Sequence, residues 1–156
     1  MGAGPGPPAS TTTRSADMDT SRMLHRWTKV AVAATAGLAL SAGAQEMKIE
    51  LSGKNEVPPV ATRASGNGTF AVKPDGTITG AVTTAGIEAT MAHIHEGAEG
   101  ENGPVRIPLV KDGDRWAVPS GTKLDDARRQ ALEQGRLYVN VHSKEHPGGE
   151  LRAQLK

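Results

Sequence analysis

The sequence contains no cysteine and few aromatic residues. Among its 156 residues there are two Trp, one Tyr and one Phe. The lack of cysteine excludes disulfide bonds and a cysteine nucleophile, so an exported domain of this sequence must rely on packing or on a metal for stability. Because aromatic side chains are scarce, a hydrophobic core must be built mainly from Val, Ile, Leu and Ala.

The chain also lacks an excess of charge of either sign. It has 18 Lys and Arg and 17 Asp and Glu residues, a formal net charge of +1. From Gln45 onward the counts are 14 and 15, which leaves a net charge of −1. No block of like charge is present. A nucleic-acid partner is therefore not predicted, since binding to phosphates requires a basic surface.

Long hydrophobic runs are missing as well. The mostly apolar run 30–40 is too short for a stable membrane span. Arg26 and Lys29 precede it, and Ala42-Gly43-Ala44 follows it as an A-x-A cleavage site. This combination is typical of a secretory signal peptide over residues 23–44, and it favours that interpretation over a buried core helix. We expect a periplasmic or secreted protein that does not span the membrane after cleavage.

The two segments on either side of the signal differ in composition. Residues 1–22 are rich in Gly, Pro, Ser and Thr and cannot bury enough apolar surface to offset their ordering entropy. We interpret them as a disordered leader or as residues before a true start at Met23. Residues 45–156 are long enough for one domain with one modest core, and Gln45 is the expected first residue after cleavage.

Short apolar runs separated by Gly and Pro turns predict an all-β, mainly antiparallel fold, a sandwich or barrel with one short helix. The helix is expected over Leu124–Gln134, with Thr122 and Asp125 as a capping box and Gly135 at its C-terminal end. Val105–Val110 and Arg115–Val118 are expected to form one hairpin. The other predicted strands are Met47–Leu51, Gly68–Val72, Thr77–Thr83, Met91–His95, Leu137–His142 and Glu150–Leu155.

Histidines are concentrated in two of these motifs. His93 and His95 form an H-x-H, and His142 and His146 lie at and after the end of another predicted strand. Since strand side chains alternate, His93 and His95 share the face opposite Ala92 and Ile94, together with Met91. If the two strands are neighbours, all four histidines can gather at one place. Imidazoles suit zinc and copper, and a thioether nearby favours copper.

An H-x-H motif by itself is a weak signal, because the outward faces of sheets are polar in any case. The same histidines can therefore serve in a structural hydrogen-bond network. Glu96, Glu145 and Glu150 lie near them in sequence and can orient imidazole rings under either interpretation. The residues leave both interpretations open.

Three segments together resemble the CHRD domain, known from chordin and from exported microbial proteins. They are NEVPPV (55–60), AHIHEGAEGENGPV (92–105) and YVNVHSKEHPGGELRAQL (138–155). The resemblance covers about residues 47–155 and implies a Greek-key-like β-sandwich or barrel. It implies little about function, because the growth-factor-binding modules of chordin are missing here. A fainter similarity is to copper/zinc superoxide dismutase, which also has H-x-H on a strand. Superoxide chemistry is not predicted, because the chain has too few histidines for a two-metal site and has no cysteine pair.

Two functions are consistent with these features, and a third, an enzyme, is not favoured by them. The first is an exported, non-catalytic protein that binds copper or zinc through His93, His95 and His142, with His146 as a further metal ligand. The second is a structural or protein-interaction module of the cell envelope or extracellular space, whose partner is another envelope or extracellular protein. An enzyme is not predicted, since no Ser-His-Asp order and no defined carboxylate pair is present. A hydrolytic water on a three-histidine metal stays formally open.

Overall fold

The computed structural model describes residues 43–156, together with Gly2. The leader 1–22 and the signal peptide 23–44 therefore lie outside the described residues, apart from Gly2, Gly43 and Ala44. The strands are β1 (Gln45–Ser52), β2 (Ser65–Val72), β3 (Ile78–Ala85), β4 (Met91–Glu96), β5 (Val105–Pro108), β6 (Val110–Asp112), β7 (Arg115–Ala117), β8 (Leu137–His142) and β9 (Leu151–Gln154). A 3-10 turn (Gly53–Asn55) and one helix, α1 (Asp126–Glu133), complete the described elements.

The strands of residues 43–156 form one nine-stranded antiparallel sheet in the order β5-β4-β8-β9-β1-β2-β3-β7-β6. The two edge strands, β5 and β6, are joined in the chain by Leu109 alone. The sheet therefore curls until its edges nearly meet, in a barrel-like shape. The predicted all-β antiparallel class with one short helix is confirmed.

The expected strand Val105–Val110 is wrong as a single element. It is divided at Leu109, which is buried and donates its backbone N–H to the carbonyl of Ala92 at 2.9 Å. Pro108 before it lies opposite His93 and has no N–H to donate to β4. The first half pairs with β4 and the second half with β7, so only β6 and β7 form the hairpin.

The core lies inside the curled sheet, where alternate residues of the strands point inward. In β1, for example, Met47, Ile49 and Leu51 are buried and Lys48 and Glu50 are exposed. This alternation follows from the two-residue period of a strand. The interior is filled mainly by aliphatic side chains, as the composition predicts, with Phe70 as a fully buried aromatic ring.

The helix α1 begins later than the sequence predicts. Asp125 itself is the N-cap, and its Oδ1 accepts a hydrogen bond from the backbone N–H of Arg128 at 2.8 Å. The hydroxyl of Thr122 instead donates to the carbonyl of Pro119. The expected capping box is therefore wrong, because Thr122 belongs to the preceding turn. Gly135 does follow the helix with φ of +66°, as expected for a C-terminal cap.

Strand β8 departs from simple alternation, because all six of its residues are buried. Its inner face, with Leu137, Val139 and Val141, belongs to the core. Its outer face carries Tyr138, Asn140 and His142, which are covered by loops rather than exposed to solvent. This covered polar face is where the predicted site residues lie.

Among the described residues, no helix is both long enough and apolar enough to cross a membrane.

Candidate metal centre

Strands β4 and β8 are antiparallel neighbours, and their register places the polar side chains of both on one face. His93 lies opposite Asn140 and His95 lies opposite Tyr138. His142 lies opposite Met91, so it is diagonal to His93. Diagonal neighbours on one face are within reach of long side chains. The pairing of the two strands therefore brings His142 to the H-x-H motif.

Three of the four predicted histidines converge. One ring nitrogen from each of His93, His95 and His142 lies within 4.8 Å of the other two. The closest approach is between Nδ1 of His93 and Nε2 of His142, at 3.0 Å. Nitrogens that bind one ion at about 2 Å each are separated by distances of this order. The arrangement can hold a transition metal with small movements of the rings.

Backbone carbonyl groups determine which nitrogen of two of these rings carries the proton. Nδ1 of His95 lies 2.9 Å from the carbonyl oxygen of Gly103, and Nδ1 of His142 lies 3.0 Å from that of Pro147. A carbonyl oxygen can only accept, so Nδ1 is the donor in each ring. The lone pair of each neutral ring is then on Nε2, which points toward the cluster. Metal-binding histidines are commonly held in this way.

Nε2 of His95 is a buried nitrogen with no hydrogen-bond partner among the described residues. Buried polar atoms are nearly always paired, and leaving one unpaired costs about 1–3 kcal/mol. The unpaired atom is the lone-pair nitrogen that faces His93 and His142. A metal ion bound at this place would satisfy the lone pair of Nε2 in the tautomer that the carbonyl of Gly103 imposes.

The surroundings of the three imidazoles favour the neutral form of each ring. Burial lowers the pKa of His93, His95 and His142, because it penalises the charged form of each ring. The charges of His142 and His95 lower the pKa of His93 further. For His95, burial is the largest effect; the hydrogen bond to the carbonyl of Gly103 raises the pKa in partial opposition, and charge repulsion from Arg152 is a smaller effect that lowers it. Neutral imidazole is the form that binds metals.

The neighbouring carboxylates do not orient the rings, contrary to the expectation from the sequence. Glu96 accepts a hydrogen bond from Arg106 at 2.9 Å. Glu150 is buried and accepts from the hydroxyl groups of Thr62 and Ser143. Glu145 is exposed. Backbone carbonyls perform this task instead, and sequence patterns cannot reveal them because their position depends on the path of two loops.

His146 stands apart from the three-histidine group. Its backbone N–H donates to the hydroxyl of Ser143, and its carbonyl accepts from the N–H of Gly149 at 3.1 Å. Its side chain is near enough to Glu56 for a positive charge there to lower the pKa of that carboxyl. The main visible role of His146 is in shaping the turn that carries Pro147.

A stack of side chains supports the loop that holds His95. The ring of His95 stacks on Tyr138 with centroids 5.0 Å apart, and the guanidinium of Arg152 lies 3.6 Å from the centre of the Tyr138 ring. The hydroxyl of Tyr138 accepts a hydrogen bond from the N–H of Gly103 at 3.0 Å. Arg152 also donates to the carbonyl of Ala98 at 2.9 Å. These contacts hold both ends of the loop against the sheet.

Arg152 and Glu56 were not identified as site residues from the sequence. Arg152 is only 1% exposed although it is on the outer face of β9. Glu56 is buried and accepts a hydrogen bond from the side-chain amide of Asn140. Burial raises the pKa of Glu56, against smaller opposing effects of Asn140 and Arg152. Strand alternation does place Arg152 on the same outward face as Tyr138. The burial of Arg152, however, depends on loops that are distant in sequence.

Gly103 is required at its position by the close approach of two backbone segments. A Cβ atom there would collide with the carbonyl of Glu96. Only glycine allows the loop to come close enough for its carbonyl to reach His95.

A groove of about 720 Å³ lies beside β1 and β9 and does not include the histidines. Glu56 and Arg152 line it together with Lys48, Lys54 and Lys156. It is separate from the three-histidine group, whose geometry carries the more specific chemistry.

The model of one protein family, the CHRD domain, matches residues 47–155 of the chain. The matched range contains all nine strands except the first two residues of β1, and it contains all three histidines of the group. No curated protein and no solved structure shows significant similarity to the chain.

Proposed function

The chain belongs to the CHRD domain family, and we propose that it is an exported, non-catalytic domain that binds one transition metal ion, copper or zinc. The ligands are His93, His95 and His142, which we name the three-histidine centre. The observation that carries this proposal is the buried, unpaired Nε2 of His95, which faces the two other imidazoles.

The chemistry of the ligand set supports a transition metal rather than calcium or magnesium. Three neutral nitrogen donors suit copper and zinc, whereas calcium and magnesium prefer oxygen ligands. Among the described residues, no carboxylate belongs to this centre. His93 is only partly buried, so the centre is accessible from solvent and an ion can enter without unfolding.

Export is supported by the signal-peptide pattern of residues 23–44. We propose a periplasmic or secreted location. The domain then handles or senses a metal outside the cytoplasm.

A metal titration of the protein purified without a histidine tag tests the function. After treatment with chelator, addition of Cu(II), Cu(I) or Zn(II) should raise the melting temperature with one ion bound per chain. At free metal about 100 times Kd, the free energy of unfolding should rise by about 2.7 kcal/mol, since the ion binds only the folded state. No bound ion and no shift with any of the three would refute metal binding.

Histidine variants provide the matched controls. His95→Ala should abolish the metal-dependent shift. His146→Ala should retain it, because His146 is nearby but outside the three-histidine centre. Lys111→Ala on the exposed strand β6 controls for general effects of substitution. Equal loss in the His95 and His146 variants would contradict the proposed ligand set.

A second function is favoured by the 3.0 Å contact of His93 with His142 and by the buried hydrogen bond of Asn140 to Glu56. In this alternative the histidines lock loops of a structural module that binds another envelope or extracellular protein. It predicts that His95→Ala lowers stability in metal-free buffer and that crosslinking captures a defined partner.

A further inference from the structure

Met91 begins strand β4 on the same face as the three-histidine centre. It lies directly opposite His142 in the pairing of β4 with β8, and His93 follows it two residues later. Directly opposed residues have Cβ atoms about 4.5–5.5 Å apart. The thioether is therefore a cross-strand neighbour of one ligand and a same-strand neighbour of another.

The side chain of Met91 is not part of the core. It is 42% exposed, whereas Met47, the other methionine of residues 43–156, is 2% exposed and packs inside the barrel. An exposed methionine makes fewer apolar contacts than a buried one, so packing contributes little to holding it. Its three rotatable bonds allow the sulfur atom to turn toward the neighbouring rings.

We propose that Met91 supplies a thioether ligand that makes the three-histidine centre a site for Cu(I). This inference rests on the proposed function and specifies its metal. The donor set is then three neutral imidazole nitrogens and one neutral sulfur. Soft thioether ligands select Cu(I), whereas zinc in a three-histidine site takes water as its fourth ligand.

The charges around the centre favour a monovalent ion for a separate reason. No carboxylate in the described part of the chain belongs to the three-histidine centre, and the side chains of Glu56, Glu96 and Glu150 are hydrogen-bonded to Asn140, Arg106 and Ser143 instead. Arg152, whose charge acts on His95, adds a positive charge nearby. Removing an uncompensated ion from water costs more as its charge increases. Cu(I) therefore costs less to bind here than a divalent ion.

The test compares Met91→Leu with the unaltered full-length protein. Leucine keeps the size and the apolar character and removes only the sulfur. Cu(I) affinity is measured by competition with a chromogenic chelator under reducing conditions. It should fall by about 10- to 100-fold or more, because loss of an outer-shell partner already weakens a metal site by about that factor. Zn(II) affinity should be unchanged within about twofold, because zinc does not use the sulfur. X-ray absorption of the Cu(I) protein should show a copper–sulfur shell that Met91→Leu lacks.

Met47→Leu is the matched control, since it removes a thioether of the same chain from the core and should leave Cu(I) affinity and the copper–sulfur shell intact. A Met91→Leu variant that keeps full Cu(I) affinity, or a wild-type protein without a copper–sulfur shell, would overturn the inference. Equal weakening of Cu(I) and Zn(II) would also overturn it, since Met91 would then act by packing alone. If the wild-type protein binds no metal, the proposed function itself fails, which is a distinguishable result.

Discussion

The carbonyl oxygen of Gly103 lies 2.9 Å from Nδ1 of His95, and this contact determines the direction of the free lone pair of the ring. Because the carbonyl accepts the proton of Nδ1, Nε2 of His95 faces the other two histidines without a hydrogen. A loop residue eight positions away thus sets the tautomer of a strand residue, in the form that the proposed metal site requires.

Gly103→Ala should destabilise the protein and weaken metal binding together. The added Cβ collides with the carbonyl of Glu96, so the loop must move away from the sheet and carry its carbonyl away from His95. We expect a loss of about 1–3 kcal/mol in the free energy of unfolding, as for other overpacked sites. Urea unfolding of the metal-free protein measures it. Gly148→Ala, where a Cβ meets open space, should change stability by less than about 0.5 kcal/mol.

Tyr138→Phe should lower stability without removing the stack on His95. The variant keeps the ring but loses the hydroxyl that accepts from the N–H of Gly103. A partly buried donor left without a partner costs about 1–3 kcal/mol. Denaturant unfolding in chelator measures this loss. Stability equal to that of the wild type would show that this hydrogen bond does not help to hold the loop.

The metal-free protein should lose stability as the pH falls below 6.5. Burial lowers the pKa of His93, His95 and His142 in the folded state, so the unfolded chain binds more protons in this range. The free energy of unfolding is therefore highest above the unfolded pKa of 6.5. It decreases as the pH falls from there through the lowered pKa values of the folded state.

Melting temperatures from pH 8 to pH 5 in chelator test this dependence. A variant with Asn at all three positions should show a flatter profile, and the difference between the two proteins isolates the histidines from other titrating groups. Parallel profiles would contradict the lowered pKa values.

Glu56 should affect the pH dependence of stability in the opposite sense to the three histidines, and Glu56→Gln should remove this effect. Burial raises the pKa of Glu56, so the folded state binds the proton more tightly than the unfolded chain. The wild-type protein therefore loses stability relative to the glutamine variant as the pH rises from below 4.5 through the raised folded pKa. Unfolding free energies of both proteins at pH 4 and pH 7 give this difference. A variant that is less stable at pH 7 than at pH 4, relative to wild type, would show that the hydrogen bond to Asn140 outweighs burial.

Several features of this protein can be predicted from the amino-acid order. Alternation of apolar and polar residues is a local property, so it correctly assigned the faces of Met91–His95 and Leu137–His142 and the antiparallel class. The motifs of the CHRD family are likewise contained in the sequence, and the family match confirms them.

Other features depend on contacts between distant residues. The outer face of β8 is buried only because the loops containing Glu56, Gly103 and Pro147 fold over it. The division of Val105–Val110 at Leu109 follows from the curl of the whole sheet, which brings its two edges together. Side-chain alternation carries no information about such long-range contacts. The tertiary structure alone therefore determines that His93, His95 and His142 converge while His146 stands apart.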